Sequence, residues 1–126
     1  MHALLVITTP ISLLSAFATP FELAHALRTS KVTRLFVQPQ LLGTALKAAK
    51  EVGIPESRIF ILEGRRVGHR SLQDLIDGSK GRGTPRVAVK PATRNTLAYL
   101  VFSSGTSGLP KGMCVPSIRG HGIPRP

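Results

Sequence analysis

The sequence has no tryptophan, one tyrosine, one cysteine and only 6 acidic residues set against 17 lysines and arginines. The single Cys114 excludes an internal disulfide framework and any multi-cysteine metal site. Five phenylalanines complete the aromatic set, so few large side chains are on hand to build a core. Long uninterrupted apolar runs are scarce as well. Residues 1–18 are largely apolar, but Pro10 breaks the run and Thr8, Thr9, Ser12 and Ser15 dilute it. A membrane span needs about 20 apolar residues, so none is expected. The run closes with Ala16-Phe17-Ala18, a small-x-small pattern like a signal cleavage site, yet no lysine or arginine precedes it. Two readings stand: a secretory targeting segment, or a strand or helix at the edge of a larger sheet domain in an intracellular, cytoplasmic protein. The second is preferred.

With 126 residues there is room for one modest domain, which excludes a two-domain enzyme unless the chain is a piece of one. Hydrophobic content of 42% and a mean hydropathy of +0.13 exclude global disorder. The net charge is +11 and is unevenly spread. Between Gly64 and Arg94 stand Arg65, Arg66, Arg70, Lys80, Arg82, Arg86, Lys90 and Arg94, opposed only by Asp74 and Asp77, which leaves +6 in this window. Such a window reads first as a solvated surface and second as a polyanion-attracting face. It lacks interleaved aromatics for base stacking, so no specific nucleic-acid recognition is expected.

Helical and strand patterns alternate after Ala18. Thr19-Pro20-Phe21-Glu22 is a capping box with proline at the first helical position, and Phe21, Ala24 and Leu27 share a face of a helix reaching about Thr29. Leu35-Phe36-Val37 is a short strand. A second helix starts near Gln40, turns Leu42, Ala45, Leu46, Ala49 and Val52 inward, and stops at Gly53. Arg58–Glu63 is a strand whose continuous apolar run suits a parallel sheet buried on both faces. Ser71 caps a short helix that ends at Gly78, a basic glycine-rich linker follows to Pro85, and Leu97–Phe102 is the third strand. Residues 113–126 carry no apolar face and read as a disordered tail. The expected fold class is α/β, a partial parallel-sheet subdomain with unpaired edges, and therefore part of something larger. The boundaries are 1–18 for the apolar segment, 19–112 for the partial domain and 113–126 for the tail.

The third strand runs into Ser103-Ser104-Gly105-Thr106-Ser107-Gly108-Leu109-Pro110-Lys111-Gly112. Glycines let successive backbone amides converge on an anion, hydroxyls add donors, and Lys111 adds a positive charge. A loop at the carboxyl end of a parallel strand lies where α/β sheets hold ligands. The spacing is not that of a Walker A loop, because two residues rather than four separate Gly105 from Gly108. Cys114, His25 and His69 have no neighbours at metal-ligand spacing, and Tyr99 reads as a packing residue.

The order Phe102-Ser-Ser-Gly-Thr-Ser-Gly-Leu-Pro-Lys-Gly112 resembles the phosphate-binding loop of the adenylate-forming superfamily, the acyl-CoA synthetases and their relatives. It differs by Phe102 in the first aromatic position and by Ser107 where the family has a second threonine. The preceding segment, from residue 19, is similar to coumarate–CoA ligase-like members. The resemblance implies an ATP-dependent carboxylate ligase that forms an acyl-adenylate, releases pyrophosphate and passes the acyl group to coenzyme A, with Mg2+ assisting. It implies that Ser103, Ser104, Gly105, Thr106, Ser107, Gly108 and Lys111 embrace the β- and γ-phosphates of ATP. It also implies a carboxylic acid substrate whose pocket lies in family motifs that this chain lacks. The expected object is thus a truncated ligase without a complete active site, with no catalytic residue assigned. The rival classes are a small basic nucleotide- or polyanion-binding module and a secreted small protein.

Overall fold

The computed structural model describes residues 2–103 and 111–116. They form two small sheets and four helices. Helix α1 (His2–Val6) leads to strand β1 (Ile11–Leu13), and α2 (Pro20–Ser30) leads to β2 (Leu35–Val37). Helix α3 (Leu42–Val52) precedes β3 (Ile59–Ile61), α4 (Leu72–Gly81) follows it, and β4 (Leu97–Ser103) and β5 (Lys111–Pro116) close the described chain.

Strands β2 and β3 pair in parallel, with Leu35 opposite Ile59 and Val37 opposite Ile61. Alternation along a strand sends these four side chains to one face. There Leu35, Val37 and Ile59 meet Ala24 and Leu27 of α2 and Ala45, Ala48 and Ala49 of α3. Alanines at these helix positions let α2, α3 and the sheet approach closely. Leu27, Ile59 and Ile61 are essentially sealed from water, each contributing about 1.5–3 kcal/mol of burial. The opposite face carries Phe36 stacked on Phe60, ring centroids 5.3 Å apart, with the Arg70 guanidinium 5.3 Å from the Phe60 centroid. Glycine at position 53 is required: its φ is +77° and its amide closes the end of α3 on Ala49 and Lys50.

Both expected helix starts are present. The Glu22 amide donates to Thr19 Oγ1 at 3.3 Å, and the Thr19 amide and hydroxyl each donate to Glu22 Oε2 at 2.8 Å. At α4 the Asp74 amide donates to Ser71 Oγ at 3.1 Å, while the Ser71 amide and hydroxyl donate to Asp74 Oδ2 at 2.7 Å. Backbone donors holding the carboxylates, then the hydroxyl donors, push both carboxyls below their ordinary values.

The second sheet, ordered β1-β4-β5, departs from expectation. The third strand of the sequence reading does not extend the β2–β3 pair. The Ile61 amide donates instead to Arg70 O at 2.9 Å, and Ile61 bridges Ser71, so the free edge of β3 is already engaged. Strand β4 pairs in parallel with β1, from the N-terminal apolar segment, and antiparallel with β5. Residues 113–116, read above as the start of a disordered tail, are the end of β5; residues 117–126 of that tail lie outside the described residues. The Met113/Val115 alternation is a strand period that the following prolines and glycines obscured. Two smaller differences concern helices. Helix α4 passes Gly78 and ends at Gly81, because the left-handed turn falls at Gly83 (φ +59°). Phe21 is 65% exposed: it shares the face of Ala24 and Leu27, but no described element covers that first turn.

Leu14, directly after β1, packs against the α2–α3 core, and the Lys90 amide donates to Val6 O at 2.9 Å. These contacts tie the second sheet and the long 82–96 connector to the rest.

The caps set a pH dependence. Carboxyls with lowered folded-state values stabilise the helix starts above the ordinary carboxylate range, and that contribution is lost as pH falls through the folded-state value. Backbone chemical shifts of residues 20–23 and 72–75 should therefore move away from helical values on acidification, before those of residues 45–49. Leu27→Ala should lower unfolding stability by about 2–5 kcal/mol in urea titrations.

Candidate functional site

Strand β4 is the middle strand of its sheet, and its last residue, Ser103, is the register partner of Lys111, the first residue of β5. The two strands therefore form a hairpin whose seven connecting residues, 104–110, include Ser104, Gly105, Thr106, Ser107 and Gly108. Those five candidates lie outside the described residues. Ser103 and Lys111 are both exposed. Register partners in an antiparallel pair project to the same face, so the Ser103 hydroxyl and the Lys111 ammonium share one side of the hairpin mouth. The parallel β1–β4 pair places this mouth at the carboxyl end of both strands, the end at which α/β sheets collect ligands.

A ring contact fixes the hairpin's register. Phe102 pairs with Gly112 on the opposite face. A Cβ at position 112 would lie 3.3 Å from Phe102 Cε1 and 3.5 Å from its Cζ. The ring thus lies across the strand on bare backbone, so any side chain at 112 must shift the ring, a small one by tenths of an ångström and a bulky one by more. Sequence reasoning missed it. The available signal was an aromatic residue and a glycine at mirrored distances from the loop.

The remaining candidates are placed as follows. Among the described residues no group of three or more His, Cys, Asp or Glu could hold a metal ion. Cys114 is exposed on β5, His25 is half-buried in α2, and His69 lies in the loop before α4, its amide donating to Arg66 O at 3.1 Å. Tyr99 is half-buried in β4. All eight basic residues of the 64–94 window are exposed. No helix among the described residues is long and apolar enough to cross a membrane. An open concavity of about 530 Å³ lies between the end of α3 and the start of β3, lined by Leu46, Ala49, Lys50, Gly53, Ile54 and Ile59 among others. No hairpin residue lines it. The hairpin mouth, where Ser103 and Lys111 face each other, is the candidate site taken up below.

The sequence pattern of the AMP-binding enzyme family matches residues 1–118. The chain belongs to the AMP-binding enzymes. The match takes in β1 and β5, and so runs wider than the 19–112 span read from the sequence. Among relatives, a protein of Emericella nidulans named "Putative acyl-coenzyme A synthetase" is 36% identical over 108 residues, covering 79% of this chain and 19% of that protein. The acyl-CoA synthetase ACTT5 of Alternaria alternata is 33% identical over 97 residues, covering 74% of this chain and 17% of its own length. The chain thus spans about a fifth of the length of these AMP-binding relatives. The fold is also that of solved structures. The anthranilate CoA ligase AuaEII, in complex with anthranoyl-AMP, superposes with a TM-score of 0.71 at 24% identity over 86% of this chain and 20% of that one. A red-emitting luciferase of Phrixothrix hirtus gives 0.76 at 20% identity, over 90% and 22% respectively.

The ring-on-glycine contact yields a prediction. Gly112→Val should displace the Phe102 ring and cost about 1–3 kcal/mol through overpacking. The readout is loss of cross-strand nuclear Overhauser effects between Val101 and Met113. Gly112→Ala, which needs a shift of only tenths of an ångström, should keep them.

Proposed function

We propose that this chain supplies the ATP phosphate-binding loop of an ATP-dependent carboxylate ligase of the acyl-CoA synthetase type. The observation that carries the proposal is the match to AMP-binding enzymes over residues 1–118. Its local support is the pairing of Ser103 with Lys111 across the mouth of the hairpin. In this reading Ser103, Ser104, Thr106 and Ser107 donate hydroxyl hydrogens to phosphate oxygens. Gly105 and Gly108 let the backbone amides approach, and the Lys111 ammonium holds the β- and γ-phosphates. A substrate carboxylate oxygen forms a bond to the α-phosphorus. The bond to the bridging oxygen breaks, and its electron pair leaves with pyrophosphate. Negative charge grows on that leaving group, and donors fixed in advance offset it without reorganisation. Lys111 is an electrostatic clamp here and forms no covalent bond.

The donor set suits a triphosphate: hydroxyls, glycine amides and one ammonium, with no carboxylate within residues 97–116 to repel it. Mg2+, when bound, supplies further neutralisation of phosphate charge, and no residue of this chain is assigned to it. Coenzyme A and the carboxylic acid likewise belong to the ligase as a whole, of which this chain matches about a fifth. The chain by itself is therefore proposed to bind nucleotide without completing adenylation.

Calorimetric titration of the 126-residue chain with ATP and with AMP tests the reading. Lys111→Ala should weaken ATP binding roughly tenfold or more, as expected for loss of a charge-assisted contact of about 1.5–3 kcal/mol, and leave AMP binding little changed. Equal ATP affinity in both proteins overturns the assignment. Carboxylate-dependent pyrophosphate exchange by the chain alone would overturn the claim that it does not complete adenylation. The exposed basic window supports one alternative, a general polyanion-binding module. That reading predicts insensitivity to Lys111→Ala, a steep salt dependence, and a loss of affinity in the Arg65→Ala, Arg66→Ala double variant.

A further inference from the structure

The loop between β3 and α4 is pinned at its base and bare at its tip. At the base, the Ile61 amide donates to Arg70 O at 2.9 Å, Ile61 bridges Ser71, and the Arg70 guanidinium lies 5.3 Å from the Phe60 ring centroid. At the tip, Arg66, Val67, Gly68 and His69 form a tight turn. The His69 amide closes it on Arg66 O at 3.1 Å, and Gly68 takes the left-handed φ of +83° that the turn requires. Val67 is fully exposed at 104%, the most exposed large apolar side chain among the described residues. Exposed Arg65 and Arg66 precede it and exposed Arg70 follows. Glu63 is the one acidic residue of the loop, and Asp74, the next along the chain, is held in the Ser71 cap. The same joining of valine and cation recurs in the 82–96 connector, where Arg86 and Lys90 bracket Val87 and Val89, which are 66% and 73% exposed.

We infer that the Val67 turn is a membrane-contact site: Val67 enters the interface of an anionic phospholipid bilayer while Arg65 and Arg66 engage the headgroups. Charge and polarity together select this occupant. A bilayer presents anionic headgroups and an apolar layer at one surface, and peripheral binding draws on both. Nucleic acid offers phosphates but nothing for an apolar tip, and the window has no aromatics on which bases could stack. A folded protein partner is disfavoured because the tip has a single small apolar side chain, where protein interfaces rest on large buried anchors. The base contacts hold the turn in advance, so insertion orders little new backbone. The contact uses no residue of the hairpin mouth and does not rest on the ATP-binding reading.

Co-sedimentation of the 126-residue chain with vesicles, without nucleotide, tests the inference. The chain should bind vesicles of phosphatidylcholine and phosphatidylserine in equal parts, and not phosphatidylcholine alone. The Arg65→Ala, Arg66→Ala double variant should weaken partitioning roughly tenfold or more. Lys47→Ala, Lys50→Ala removes the same charge from exposed positions on α3 and should weaken it less than about threefold, because charge outside the contact is screened. Val67→Ser, which leaves the charge untouched, should weaken it roughly threefold or more. The sequence has no tryptophan, so Val67→Trp installs a sole reporter. Its emission should shift to shorter wavelength on the mixed vesicles and not on duplex DNA at the same phosphate concentration. Val67 and both arginines are exposed, so their substitution takes no packing from the core. Absence of binding to the mixed vesicles, equal losses in the two double variants, indifference to Val67→Ser, or an unshifted Val67→Trp emission would overturn the inference. So would equal affinity for the DNA with sensitivity to the arginines alone, which assigns the window to nucleic acid.

Discussion

The pairing of β1 with β4 joins the two ends of the described chain, and the arrangement of the candidate site depends on it. Ile11, Ser12 and Leu13 hold Tyr99, Leu100 and Val101 in parallel register, which makes β4 an interior strand with neighbours on both sides. Tyr99, Leu100 and Val101 are flanked on both edges, and the strand continues from this anchored stretch to its last residue along β5 alone. That residue is Ser103. The antiparallel return through β5 then sets Lys111 beside it. Without β1, the hairpin would be an isolated two-stranded element, which is marginal in water.

The two halves of the structure rest on different physics. Around β2 and β3 the stabilising term is burial. Small alanines on α2 and α3 meet branched side chains on a parallel pair, and Leu27, Ile59 and Ile61 lose nearly all contact with water. The hairpin half depends on backbone pairing and on one ring lying over glycine, with little apolar surface removed from solvent. The phosphate-loop candidates thus sit on the more weakly buried half, in a protein family whose members extend far beyond the matched segment.

How much of this was legible in the sequence depended on the range of the interaction. Caps at Thr19–Glu22 and Ser71–Asp74 were readable because the partners are three residues apart and the chemistry is local. The inward faces of α2 and α3 were readable from helical period, apart from Phe21, whose exposure depends on what lies over the first turn. The β2–β3 pair was expected to be parallel because Ile59–Ile61 is apolar on both sides. The partner of β4 was not legible. Residues 11–13 are a short stretch with no strong strand period, and nothing local links them to residues 99–101. Strand β5 was missed for another reason: Pro116 and the glycines beyond it dominated the composition, although Met113 and Val115 already alternate with Gly112 and Cys114. At the site, residue types spoke for phosphate chemistry, and the family match places the chain among the AMP-binding enzymes. The mirrored positions of Phe102 and Gly112 gained meaning only once the register was known.

Cys114 gives the molecule an intrinsic reporter. It is the sole sulfhydryl of the sequence, it is exposed, and it stands on the outermost strand opposite Leu100, two positions from the glycine beneath the aromatic ring. A nitroxide or fluorophore attached there would sense β5 with no second labelling position to confound the signal. Under oxidising conditions the same isolation leaves this group only other molecules with which to cross-link, so the unprotected chain would accumulate covalent pairs joined through their outer strands.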